Sequence, residues 1–164
     1  KRQVIYRVKV KSPDYLRLMR AMAECTYDRL VAMLAENPHL TGWPEVEVYL
    51  RAKGREAVPE EVLAFYRPHF ERFAAYLADC DRLREWAVQT YRELESQLGG
   101  RQTRDPSAYR KAFAALASGY PYAGLLFAAL DGRLDGARIR KLIRDPEQAK
   151  RAVLEVEHSW GSRG

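Results

Sequence analysis

Two groups of cations in this sequence have types and spacings suited to chemistry on phosphates. Lys9 and Lys11 stand at i and i+2, so on an extended strand both side chains project from one face, about 7 Å apart. That spacing lets both ammonium groups reach one triphosphate, although most such pairs are simply the solvated face of a strand. The second group lies in the last third of the chain. Arg138, Lys141 and Arg144 step by three, which sets them along one face of a helix, and Arg110 and Lys111 precede them. Such a face suits RNA phosphates, with Tyr120 or Tyr122 available to stack a base. The plain alternative is a solvated face with Asp131, Asp135 and Asp145 nearby.

Other chemistries find less in the sequence. The spacings of His39, His69 and His158 match no helical pair of metal ligands. No serine sits in a nucleophile-elbow sequence, and no glycine loop is built to hold a phosphate. Cys25 and Cys80 are too few and too far apart for a disulfide framework or a zinc knuckle. Both fall in helical apolar patterns and are expected to be buried free thiols, consistent with a cytoplasmic setting. Trp43, Trp86 and Trp160 read as core anchors or helix-end plugs.

The 164 residues carry 47% hydrophobic and 30% charged side chains, the balance of a folded, non-membrane chain of about one domain. No apolar run approaches the roughly 20 residues needed to cross a bilayer. Net charge is +6 but unevenly placed. Residues 1–20 hold seven basic and one acidic residue, residues 21–100 nine and fourteen, and residues 101–164 twelve and seven. Two positive ends flank a negative middle, a distribution suited to a polyanion met by the ends.

The elements that must position these cations are mainly helical. Residues 4–11 alternate, with Val4, Tyr6, Val8 and Val10 on one face and Arg7, Lys9 and Lys11 on the other, which predicts a strand. A lone strand needs partners, and nothing later alternates as well, so the chain is expected to be a fragment whose sheet lies upstream. Ser12-Pro13 reads as a helix start, with apolar positions continuing to about Ala35 as one bent helix or two. A short helix follows from Pro44 to about Ala52. From Pro59 to Leu98, Tyr66, Phe70, Phe73, Leu77, Cys80, Ala87, Tyr91, Leu94 and Leu98 predict a long helix. It has one lapse at Arg84 and a bend near Pro68. Gly99-Gly100 ends it. Asp105-Pro106 opens a helix with Tyr109, Phe113 and Leu116 on its apolar face, and Tyr122–Leu130 reads as the centre of a small core. A basic helix from Asp135 to Ile143 and a last one from Asp145-Pro146 to about His158 complete six or seven helices.

The segment Tyr6-Arg7-Val8-Lys9-Val10-Lys11, followed by Asp14-Tyr15, resembles nucleotidyltransferase motif V of the RNA ligase 1 family typified by the T-even phage enzyme. Two segments downstream are similar to that family as well. Phe70 to Glu95, with Tyr91 near its end, resembles its long helix. Ala123 to Arg133 resembles the buried helix of its C-terminal domain, which ends in a short turn with a basic residue. The resemblance implies an ATP-dependent RNA ligase that works through ligase–AMP and RNA–adenylate intermediates, with Mg2+ or Mn2+. It implies that Lys9 and Lys11 contact the phosphates of ATP and assist loss of pyrophosphate. It also implies a mainly α fold: residues 1–12 as the last strand of a nucleotidyltransferase domain and residues 13–164 as a helical RNA-binding domain. The family's Lys-x-Asp-Gly nucleophile is missing, since Leu130-Asp131-Gly132 offers a leucine that cannot form a phosphoramidate. The catalytic core and metal-binding carboxylates are therefore expected upstream, and this chain alone is expected to be inactive. From a different class comes a helical module that binds RNA or protein without catalysis. A coiled-coil assembly protein using residues 66–98 is a third reading.

Overall fold

The computed structural model describes residues 12–53, 58–100 and 105–161. They form eight α-helices: α1 Pro13–Glu24, α2 Tyr27–Glu36, α3 Trp43–Lys53, α4 Glu60–Gln97, α5 Pro106–Ala117, α6 Ala123–Leu130, α7 Gly136–Leu142 and α8 Pro146–Gly161. The fold is mainly α, and the anticipated strand over residues 4–11 lies outside the described residues, as do Lys9 and Lys11. Among the described residues no helix is long and apolar enough to cross a membrane. The chain divides into two compact units, one up to Phe73 and one from Ala74 onward.

Local chemistry sets most helix ends. The Ser12 hydroxyl accepts from the Tyr15 amide at 3.2 Å, and Pro13 occupies the first turn, where its missing N–H costs nothing. The segment to residue 36 is two helices rather than one. Cys25 leaves helical geometry, and Thr26 caps α2 by accepting from Arg29 N at 3.3 Å. Neither glycine nor proline marks that break; the threonine hydroxyl, with Asp28 in the first turn, stabilises the new start. Asn37 closes α2, its side-chain amide donating to Met33 O at 2.8 Å.

In the first unit Leu30, Leu34, Leu40, Val46, Leu50 and Leu63 form the core, joining α2, α3 and the start of α4. Trp43 tilts against Phe70 with ring centroids 5.8 Å apart, and Tyr27 meets Phe73 edge-on at 6.4 Å. The Arg72 guanidinium lies 5.0 Å from the Tyr27 centroid. Cys25 is buried, its Sγ near Ala21 O and Val62 O, while the His69 ring nitrogen Nε2 lies 3.2 Å from Cys25 O.

In the second unit the buried face of α4 is Tyr76, Cys80, Leu83, Trp86, Ala87, Thr90 and Leu94, with Leu98 just beyond its end. The register predicted from apolar residues places Leu77, Arg84 and Tyr91 where the structure buries Tyr76, Leu83 and Thr90. Leu77 and Tyr91 are half-buried and Arg84 is exposed. Cys80, Ala87, Leu94 and Leu98 are buried as expected, and only the alternate positions shift by one residue, so the series passes through Leu83 and does not lapse at Arg84. The helix remains continuous through Pro68. Gly99 and Gly100, with φ of 74° and 81°, end it. Gly100 N donates to Glu95 O at 3.0 Å and Gly99 N to Ser96 O at 3.1 Å, the paired bonds of a Schellman turn. Opposite α4 pack Tyr109, Phe113 and Ala117 of α5, Leu125, Leu126, Ala128 and Leu130 of α6, Ile139 and Ile143, and Ala149, Ala152, Val153 and Val156 of α8. Leu116, expected on the buried face of α5, is 38% exposed, and Ala117 is buried in its place.

The two registers make opposite forecasts. Leu83→Ala should lower unfolding free energy by about 2–5 kcal/mol through the lost contacts and the cavity. Arg84→Ala should stay within about 0.5 kcal/mol of the parent. Denaturant titration of both variants checks this, and the reverse ordering would restore the register read from the sequence.

Candidate nucleic-acid interface

The cations of the second unit stand on a turn that the sequence dictates residue by residue. Gly132 follows α6 with φ of 68°, a conformation in which a Cβ would crowd the backbone. It donates to Ala129 O at 3.0 Å, and Arg133 N donates to Ala128 O at 2.8 Å, again a Schellman turn. The turn leaves Asp131 and Arg133 on either side of one glycine, with Arg133 at the negative end of the helix dipole. Two residues on, Asp135 caps α7, its carboxylate accepting from Arg138 N at 2.7 Å.

From α5, Arg110 reaches Asp131: its Nη1 lies 2.7 Å from Oδ1. Arg133 Nη2 lies 3.7 Å from the other carboxylate oxygen. Bonding to Asp131 raises the pKa of Arg110 above the ordinary guanidinium value. Beneath the pair, Arg110 lies 5.9 Å from the Phe127 centroid, Phe127 meets Phe113 edge-on at 5.6 Å, and Phe113 meets Tyr91 at 6.0 Å. Tyr91 donates to Glu95 Oε1 at 2.7 Å. A run of rings through α4, α5 and α6 thus holds the ion pair in place.

The helix carrying the other cations is fixed from below. Ile139 and Ile143 are buried, and the Tyr76 hydroxyl of α4 donates to Ile143 O at 2.7 Å. Arg138, Arg140 and Lys141 are therefore turned outward, and all three are exposed. Helix α7 ends at Leu142, and Ile143 is extended (φ −116°, ψ 96°). Arg144 consequently stands beyond the helix instead of completing a third step along it. Its backbone N–H donates to Gln148 Oε1 at 2.8 Å, while Gln148 N donates to Asp145 Oδ1 at 2.9 Å, a capping arrangement that starts α8.

The structure thus brings Arg138 and Lys141 onto one face, sets Arg144 just past its end, and places Lys111 exposed on α5 beside Arg110. None of the ion pairs among the described residues involves Arg138, Lys141 or Arg144. The aspartates that the sequence puts near them are already occupied: Asp131 by two arginines, Asp135 and Asp145 by helix starts. Tyr120 and Tyr122 are half-buried. Tyr122 has φ of 53°, and burial followed by the Glu155 carboxylate raises its hydroxyl pKa. The Arg110–Asp131–Arg133 cluster was not foreseen as a unit, because it depends on a contact 21 residues apart in sequence.

The thiols stand away from this chemistry. Burial pushes both Cys25 and Cys80 up, and burial beside Cys25 pushes the Tyr66 hydroxyl up to about 12. Among the described residues no three His, Cys, Asp or Glu side chains come together as a group able to hold a metal ion.

No family model, no curated protein and no solved structure matches this chain. The functional reading therefore rests on its own residues.

Around Gly132 nothing lies within 4 Å of an added Cβ, so the cost of a side chain there is purely conformational. Gly132→Ala should destabilise the protein by about 1–2 kcal/mol. Thermal unfolding measures it, and an unchanged midpoint would mean the turn does not require the left-handed residue.

Proposed function

We propose that this chain is the C-terminal part of an ATP-dependent RNA ligase, its helical portion holding the RNA whose 5′-phosphate and 3′-hydroxyl ends are joined. The observation that carries the RNA half of this reading is the exposed cation set Arg138, Lys141 and Arg144, which makes no ion pair among the described residues while the neighbouring aspartates bond to other groups. A solvated face would ordinarily intersperse compensating carboxylates; a phosphate-binding face leaves its cations available. The ligase half rests on the resemblance of Tyr6 to Lys11 to motif V, followed by a helix that Ser12 starts.

Each step of the proposed reaction is transfer at phosphorus, where catalysis is mostly positioning and charge neutralisation. In this proposal Lys9 and Lys11 supply two positive charges to the triphosphate of ATP as pyrophosphate leaves. The resemblance that implies ATP and Mg2+ or Mn2+ rests on Lys9 and Lys11, which lie outside the described residues. Nucleotide and ion belong here to the nucleotidyltransferase domain, which also supplies the lysine nucleophile that this sequence lacks.

Two outcomes are expected. In the full-length protein, Lys9→Ala and Lys11→Ala should each slow formation of the enzyme–AMP adduct by about 100-fold or more, the usual loss when one charge-stabilising donor goes. Adduct formation at the parent rate in both variants would leave only a non-catalytic helical RNA- or protein-binding module. For the chain itself, log affinity for single-stranded RNA should fall linearly with log salt. Neutralising Arg138, Lys141 and Arg144 together should reduce that slope by about 2, at roughly 0.7 per phosphate contact. A slope that does not change would remove the RNA role of this face.

A further inference from the structure

We infer that the groove between α5 and the end of α6 is a subsite for one phosphate of single-stranded RNA, made by Arg110 and Arg133 and restrained by Asp131. The groove encloses about 460 Å³ and is lined by Pro106, Tyr109, Arg110, Leu130, Asp131 and Arg133. That volume exceeds what a phosphate group fills and lies in the range of nucleotide-sized ligand sites, roughly 300–1,000 Å³. One side of the lining is apolar, Pro106 and Leu130, a surface against which a base or ribose can lie. The other holds two guanidinium groups from different elements and one carboxylate, for a net positive charge.

The hydrogen-bond inventory favours an anion as occupant. A guanidinium offers five N–H donors in a planar fork. The side chain of Arg110 is 57% exposed and gives Nη1 to Asp131. That of Arg133 is 78% exposed and holds Asp131 only at 3.7 Å. A phosphodiester can accept from the outward edges of both arginines at once, in the forked geometry that arginine makes with phosphate. The side chain of Asp131 is 27% exposed and does two opposed things. It orients Arg110, and its charge competes with the incoming phosphate for the same donors. The turn at Gly132 fixes that competition, since Asp131 and Arg133 flank the glycine.

This inference rests on the RNA-binding reading above, and the experiment separates the two. Anisotropy of a fluorescent single-stranded oligoribonucleotide is measured against the chain across a salt series, for the parent, Arg133→Ala, Asp131→Asn and the variant neutralised at Arg138, Lys141 and Arg144. The expected results are about tenfold weaker binding and a salt slope reduced by about 0.7 for Arg133→Ala, with about threefold tighter binding for Asp131→Asn. A purely structural Asp131 would give no gain of affinity, so Asp131→Asn binding at or below the parent level overturns the restraint assigned to it. Parent-like affinity and slope for Arg133→Ala, with weakened binding on neutralising Arg138, Lys141 and Arg144, overturns the subsite and leaves the RNA-binding reading standing. Failure of the parent to bind the oligoribonucleotide overturns both, as does a polyglutamate peptide that binds in its place with equal affinity. Unfolding midpoints of all variants, compared with the parent, identify any loss that comes from misfolding; Arg133→Gln then repeats the test with a side chain of similar length.

Discussion

Burial of Phe113 is the constraint on which the second unit depends. It is fully buried, and its ring meets Tyr91 of α4 on one side and Phe127 of α6 on the other. An aromatic side chain removes some 150–250 Å² from water, and an edge-to-face pair such as Phe113–Phe127 adds about 0.5–1.5 kcal/mol beyond that area. The consequence for function is positional. Phe127 cannot shift without opening that contact, and Arg110 sits against Phe127, so the arginine reaches Asp131 from a rigid floor. The pair remains a surface one, since the Arg110 side chain is 57% exposed, with Phe127 as its neighbouring ring.

The division of labour among carboxylates follows from helix ends. Every helix leaves N–H groups without partners at its start, and Asp105, Asp135 and Asp145 meet three of those demands in this unit. Asp105 accepts from both Ser107 N and Ala108 N at 3.0 Å. Glu157 pairs with Arg82 on α4, and Asp131 with Arg110 and Arg133. Short helices make many ends, and ends consume aspartates. Asp135 and Asp145 keep their charge as caps, but their carboxylates are directed to backbone N–H groups and not to Arg138, Lys141 or Arg144. The charge asymmetry of the sequence becomes a surface feature through this route, which net charge alone does not reveal.

What was legible in the sequence is what local chemistry decides. Ser12-Pro13, Asp105-Pro106 and Asp145-Pro146 mark helix starts, and Gly99-Gly100 and Asp131-Gly132 mark ends. In each case the deciding bonds span only a few residues. The split at Cys25-Thr26 was open between one helix and two, because a threonine cap carries a weaker signal than proline or glycine. Along α4 and just past its end, Cys80, Ala87, Leu94 and Leu98 are legible, and the alternate positions differ by one residue for a different reason. Thr90 is buried in the seam while Tyr91, one step away, carries the more apolar ring. Hydrophobicity therefore favours Tyr91, which is only half-buried although its ring meets Phe113, over the fully buried Thr90. The Arg110–Asp131 contact was invisible because it is tertiary, joining two helices whose approach no local pattern encodes.

The candidate phosphate-binding features divide along the same line. That Arg138 and Lys141 share a face follows from helical periodicity, and the buried Ile139 confirms which way that face points. Arg144 shows the limit of periodicity. A spacing of three means a shared face only while the helix lasts, and α7 ends at Leu142. The Tyr76 bond to Ile143 O and the capping bonds at Asp145 and Gln148 together accompany the break that separates Arg144 from the face of α7. A linear row tracks a regularly spaced backbone, whereas a row that turns at its end suits a bent or single-stranded one. The end of α7 therefore leaves two cations on one helical face and sets the third beyond it.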